Sequence, residues 1–334
     1  MQMRRILGKG ILLLLLAFFL NTDSVKAATL PKISGMFIRN DMIASKEKAV
    51  EQGKKVWDQD QYIQLASDMF NAGMTIMIPQ TAVNYESSDK QTFYYPTERY
   101  QTTNQSSGDQ ENQLTYSLEA AKAKHMNVFL PLQLSENDWF TALYDGFKSQ
   151  KSQNFLKESA LFSMGIADEM MQKYGSKYAK EISGWYLPFE LDNSNLYDPK
   201  TRDTFINLYL KPVTNHLKKL NPTGRIITSP LLYTNLKNPT ESDIVEWNTM
   251  WKEIFEQTVV DTLMPQDGGG WESATALNLG PWYASMKTSI DEVNQSKESK
   301  NIELWNNPEC YSMTGSGTMD IRRLLDNMAA VSHM

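Results

Sequence analysis

At 334 residues, with 41% hydrophobic and 22% charged side chains, the chain has an ordinary globular composition and the length of one large α/β barrel or of two smaller domains. A formal charge of -6 gives no support to binding of nucleic acid or of an anionic membrane, and a neutral ligand fits better than a polyanion. Cys310 is the only cysteine, which excludes an internal disulfide and leaves stability to a large core.

In chain order, export comes first. Arg4 and Arg5 precede an apolar run over 11–20, and Val25-Lys26-Ala27 offers small residues at both positions that a signal peptidase reads. Residues 1–27 are therefore read as a signal peptide, 28–334 as a single domain, and the destination as secreted, extracellular or cell-envelope. The apolar run falls short of the ~20 residues a membrane span needs, so no stable span remains after cleavage.

A first strand is expected over 32–39, with Asn40 and Asp41 at its carboxyl end, then a helix over 57–71 through Tyr62, Leu65, Ala66 and Met69. A strand over 74–78 runs into Pro79 and Gln80. The stretch 81–110 is long, polar and rich in tyrosine (Tyr85, Tyr94, Tyr95, Tyr100). It reads as a binding loop with no structure of its own, since tyrosine faces suit sugar rings. A helix over 114–124, a strand over 127–133 and a longer helix over 155–174 follow.

Residues 181–192 form a short apolar and aromatic run that ends on Glu190 and Asp192, as expected of a strand covered on both faces whose carboxyl end opens onto a ligand. Beyond it come a helix over 204–220 that Pro212 should kink, a strand over 225–230, and a helix over 243–257 in which Trp247 and Trp251 pack one turn apart. A strand over 259–267, a helix around 282–293, a seventh strand over 301–306 and a helix over 318–331 complete the series. Strand and helix recur at intervals of roughly 35 to 55 residues, the rhythm of an eightfold barrel. The fold class is therefore α/β, a (β/α)8 TIM barrel lacking its eighth strand. Truncation is the expected reason, because an open parallel edge exposes unpaired backbone.

The three histidines, at 125, 216 and 333, fall at surface or packing positions, which argues against Ser-His-Asp and His-zinc chemistry. The acids of 192–203 do not reproduce a calcium loop, so neither metal nor cofactor is expected. The triple glycine Gly268 to Gly270 lacks the spacing of a phosphate loop and reads as a tight turn. Cys310, with no histidine beside it, reads as a buried neutral side chain.

Acids and amides gather at strand ends: Gln80, Gln133, Glu190 with Asp192, Gln266 with Asp267, and Glu309. In a barrel these open onto one rim, and a pair of carboxyl groups across a sugar ring is what glycosidic cleavage needs. Glu190 is assigned as general acid/base and Glu309 as nucleophile, with Asp267 as its replacement. The substrate-binding set is Gln80, Gln133, Tyr186, Asp192, Gln266, Trp271, Trp305 and Asn306, the two tryptophans serving as sugar platforms or as core packing.

This placement resembles the large clan of retaining barrel glycosidases, whose acid/base ends strand four and whose nucleophile ends strand seven. It departs from that clan in having Phe189 where the clan has Asn, and in setting Glu309 beyond the expected strand end. A resemblance covering nearly the whole mature chain rests on Gly184-Trp185-Tyr186-Leu187-Pro188-Phe189-Glu190 with Asp192, Met264-Pro265-Gln266-Asp267-Gly268, and Leu304-Trp305-Asn306 ahead of Glu309. Together these blocks resemble the bacterial domain-of-unknown-function family 4434. The resemblance implies a glycosidase-like TIM barrel and a carbohydrate ligand, an oligo- or polysaccharide. The expected function is a secreted glycoside hydrolase, with a non-catalytic carbohydrate-binding barrel or an envelope or exopolysaccharide assembly protein as alternatives.

Overall fold

The computed structural model describes residues 32–39, 56–87, 90–100, 112–192, 195–231, 239–271, 276–297, 300–312 and 319–332. The expected signal peptide, Asn40, Asp41, Asn193, Ser194, His333 and the Trp271 side chain lie outside the described residues. The chain divides into Met1–Lys32 and a compact body, Ile33–Met334, which carries every element described.

The first half of the body contains β1 (Gly35–Ile38), α1 (Gln59–Asn71), β2 (Ile76–Pro79), β3 (Val83–Ser87), β4 (Lys90–Phe93), α2 (Gln113–Lys124), β5 (Asn127–Pro131), β6 (Gln133–Leu134), α3 (Glu136–Tyr144) and α4 (Gln150–Tyr174). The second half contains β7 (Ile182–Leu187), α5 (Pro199–Phe205), α6 (Lys211–Leu220), β8 (Arg225–Thr228), α7 (Glu241–Gln257), β9 (Thr262–Leu263), α8 (Ala276–Ser296), β10 (Glu303–Leu304) and α9 (Ile321–Val331). Seven strands form one curled parallel sheet in the order β1-β2-β5-β7-β8-β9-β10. Among the described residues no pairing joins β10 to β1, so the barrel lacks one strand, as expected.

β7 shows why the sheet is covered on both faces. Trp185 and Leu187 pack outward against the helices, while Tyr186 between them enters the barrel interior. Burial of each such side chain contributes about 1.5–3 kcal/mol. The interior layer takes Phe37, Ile78, Phe129, Tyr186, Ile227, Met264 and Trp305, one from each successive strand or its carboxyl extension. Gly184 holds φ 155°, and a Cβ there would meet the Arg225 backbone of β8. Only glycine lets β7 approach its neighbour so closely, where the β5–β7 register also shifts.

Helix boundaries follow their caps. Asp58 and Gln61 form a capping box at α1, Thr240 and Asp243 another at α7, and His125 ends α2 in the left-handed region at φ 53°. Pro212 lies in α6 directly after a π-helical turn at Ile206–Leu210, where the wider backbone accommodates a ring that cannot donate. His125 is exposed and His216 binds Asp168 at 2.7 Å on the outer surface.

The stretch 81–110 departs from expectation. It contains the hairpin β3–β4, which joins β6 in a second, three-stranded sheet. Its tyrosines pack rather than line a mouth. Tyr94 and Tyr95 are buried, and Tyr85 and Tyr100 meet Phe162 of α4. Glu169 of α4 anchors the segment that follows, accepting hydrogen bonds from Tyr95, Thr97 and the backbone of Glu98 and Arg99.

Candidate active site

Alternation along a strand carries the barrel interior up to a polar rim. Two residues past Phe37, Ile78, Ile227, Met264 and Trp305 stand Arg39, Gln80, Ser229, Gln266 and Asn307. The rim is knitted by hydrogen bonds. Asn307 Nδ2 donates to Ser229 Oγ at 2.9 Å, and Gln266 Nε2 donates to Ser229 O at 3.2 Å. Parallel bridges Asp192–Leu231, Leu231–Gln266 and Gln266–Asn307 continue the sheet at this level.

Glu190 reaches the rim through a local irregularity. The chain after β7 gains two residues on its neighbour between the pairs Leu187–Thr228 and Asp192–Leu231. Phe189 turns outward and stacks on Trp139 of α3 at 4.7 Å, and Trp139 Nε1 donates to the Glu190 carbonyl at 2.8 Å. The Glu190 carboxyl turns the other way, accepting from Gln266 Nε2 at 2.9 Å.

Glu309 and Asp267 form the buried end of the site. Glu309 Oε2 accepts from the Gly270 N–H at 2.6 Å and Oε1 from the Tyr311 hydroxyl at 3.0 Å. Asp267 Oδ1 accepts the backbone N–H groups of Gly269 and Glu309 at 2.9 and 3.1 Å, and Asn327 of α9 faces the same carboxyl. Burial pushes both acids above the ordinary carboxylate range against these donors. Charge on Asp267 and Glu190 pushes Glu309 further up, so the three acids share one electrostatic environment.

The structure thus brings together Glu190, Gln266, Asp267 and Glu309. Gln80 follows β2 at the rim level, with Oε1 buried. Tyr186 and Trp305 lie one layer below as the apolar floor, the Trp305 indole tied to Glu303. Three expected contacts point elsewhere. Gln133 belongs to the second sheet and donates to Ser159 O of α4. Asp192 is buried and caps its own loop through the Asn195 N–H. Asn306 faces outward to Tyr283 of α8, one residue out of phase with the inward Asn307. The same alternation leaves Cys310 exposed beside buried Glu309, correcting the buried side chain expected there.

Sequence reasoning passed over Arg39, Ser229, Asn307 and Tyr311. A period of two counted from the interior layer finds the first three, whereas Tyr311 is placed by the loop that follows β10. Among the described residues no three His, Cys, Asp or Glu side chains gather as a metal site.

A parallel sheet curled inside its helices, with acids and amides ringed at the carboxyl ends of its strands, defines a TIM barrel of glycosidase-like fold. The chain belongs to the family described as domain of unknown function DUF4434, whose sequence profile matches residues 33–334. Its fold is similar to that of a protein provisionally assigned as an alpha-L-fucosidase from Bacteroides thetaiotaomicron, at 16% identity and a TM-score of 0.66, covering 92% of this chain and 83% of that one. The endo-1,4-beta-mannanase from Rhizomucor miehei is similar at 10% identity and a TM-score of 0.49, over 90% of this chain and 94% of that one. The intracellular xylanase of Thermoanaerobacterium saccharolyticum follows at 11% and 0.44, over 91% and 99%. No functionally curated protein matches the chain in sequence.

Proposed function

We propose that the chain is an exported glycoside hydrolase that cleaves a polysaccharide or glycan with two carboxyl groups. One observation carries this reading: the acids that follow the fourth and seventh barrel strands are held by adjacent residues of the rim, Glu190 by the Gln266 amide and the Glu309 backbone by Asp267. Glu309 has both oxygens gripped by donors, which orients it to attack the anomeric carbon. Glu190, less buried and steadied by Gln266, protonates the departing glycosidic oxygen and then takes a proton from the water that releases the sugar. Two carboxyl groups can divide these roles when their surroundings differ, as those of buried Glu309 and half-buried Glu190 do here. Asp267 holds the backbones of Gly269 and Glu309 and is a framework acid in this scheme, not a second nucleophile.

The test is release of new reducing ends from a panel of bacterial exopolysaccharides by the purified protein. Turnover is expected from the wild type and loss of turnover from Glu190→Gln and Glu309→Gln, with glycan binding retained. Normal hydrolysis by Glu190→Gln removes that residue from the mechanism. Saturable binding with no reducing ends replaces the hydrolase with a carbohydrate-binding barrel.

A further inference from the structure

The peptide group between Gly269 and Gly270 is held at both ends. Its carbonyl, Gly269 O, accepts from Arg323 Nη2 of α9 at 2.7 Å, and its N–H, on Gly270, donates to Glu309 Oε2 at 2.6 Å. A cation at the oxygen end and a carboxylate at the hydrogen end polarise an amide in the same sense, so each hydrogen bond strengthens the other. Neither glycine can be replaced without crowding. A Cβ on Gly269 would meet Met319 and Asp267, and one on Gly270 would meet Tyr311.

We propose that Arg323 is a positioning residue for Glu309, acting through the Gly269–Gly270 peptide group to hold and polarise the N–H that binds the Glu309 carboxylate. The link runs from α9, the last helix described, into the mouth of the barrel, and it opposes the burial and the neighbouring acids that act on Glu309. Burial, Asp267 and Glu190 disfavour its charge, the Gly270 N–H and Tyr311 hydroxyl favour it, and Tyr283 of α8 faces both acids as a buried phenol. Arg323 also favours the charge on Asp267, the acid that carries the Glu309 backbone. Its guanidinium therefore offsets part of the cost of two buried carboxylates.

The inference rests on Glu309 being the buried acid of the proposed hydrolase, but its test needs no substrate. Arg323→Met, Glu309→Gln and the double variant form a cycle of denaturant stability measured from acid to neutral pH. Carboxyl resonances of the full chain follow the ionisation of Glu309 in parallel. Coupling between the two positions is expected at neutral pH and should fade as Glu309 is protonated. The Glu309 midpoint should rise by about one pH unit in Arg323→Met, a tenfold change in the ratio of its two forms, with most of that shift restored by Arg323→Lys. Additive effects at every pH with an unmoved midpoint overturn the proposal, and if Arg323→Met does not fold, Arg323→Gln serves the same cycle. Coupling without any hydrolysis upholds the link and sinks only the hydrolase.

Discussion

Asp267 accepts the backbone N–H of Glu309 at 3.1 Å, so the acid after the sixth barrel strand carries the main chain that presents the acid after the seventh. Asp267→Ala leaves this N–H and that of Gly269 buried without an acceptor, at a cost of about 1–3 kcal/mol for each. Asp267→Asn keeps an acceptor. Chemical denaturation is expected to show a large loss for the alanine variant and little or none for the asparagine variant at neutral pH.

Glu309 is held above the ordinary carboxylate range, first by burial. The sign follows from linkage: the stability tied to its protonated form is present below about 4.5 and is lost as pH rises through its folded value. Glu309→Gln should therefore melt higher than wild type at pH 7, with the gap closing towards pH 4, while hydrolysis disappears. A melting temperature that does not rise at pH 7 contradicts this account of the buried charge.

Gln266 bridges Glu190 and Ser229. Gln266→Leu removes the donor while preserving much of the volume. Hydrolysis should fall by about ten- to a hundredfold, less than the 10²–10⁴-fold expected for loss of a general acid in Glu190→Gln. Rates on one responsive glycan compare the two variants, and equal losses would assign Gln266 a larger role.

Gly184 has a backbone angle that side chains rarely adopt and sits against the Arg225 backbone. Gly184→Ala should destabilise the barrel by at least about 1–3 kcal/mol, because both the angle and the β7–β8 approach must change. The denaturation midpoint reports it directly. An unchanged midpoint shows that the strands can slide apart without cost.

Glu169 anchors the segment from Tyr95 to Arg99. Burial alone raises its pKa, but its hydrogen bonds outweigh burial and hold it below the usual range. Its contribution is present above the ordinary carboxylate range and is lost as pH falls through the lowered folded value. Glu169→Gln should speed amide exchange at Glu98 and Arg99 about tenfold or more at neutral pH, with β7 unaffected.

The barrel was legible because its signals are local. Apolar runs such as 182–187, helix caps such as Asp58 and the strand–helix rhythm are written in neighbouring residues. The β3–β4 hairpin was not, since a polar, tyrosine-rich stretch carries little alternation, and its aromatics reveal a core face only against Phe162 of α4.

For the site, the sequence by itself determined that acids and amides end the strands, and it named Glu190, Gln266, Asp267 and Glu309 among them. Tertiary structure decided which of the named residues face the mouth. Asn306 and Asn307 differ by one residue, and a period of two sends them to opposite faces. Only the packed fold could bring Arg323 to the carbonyl of Gly269 and Tyr311 to the carboxyl of Glu309. The first contact spans a stretch of chain with no local pattern to announce it, and the second depends on how a loop turns once burial has fixed its ends.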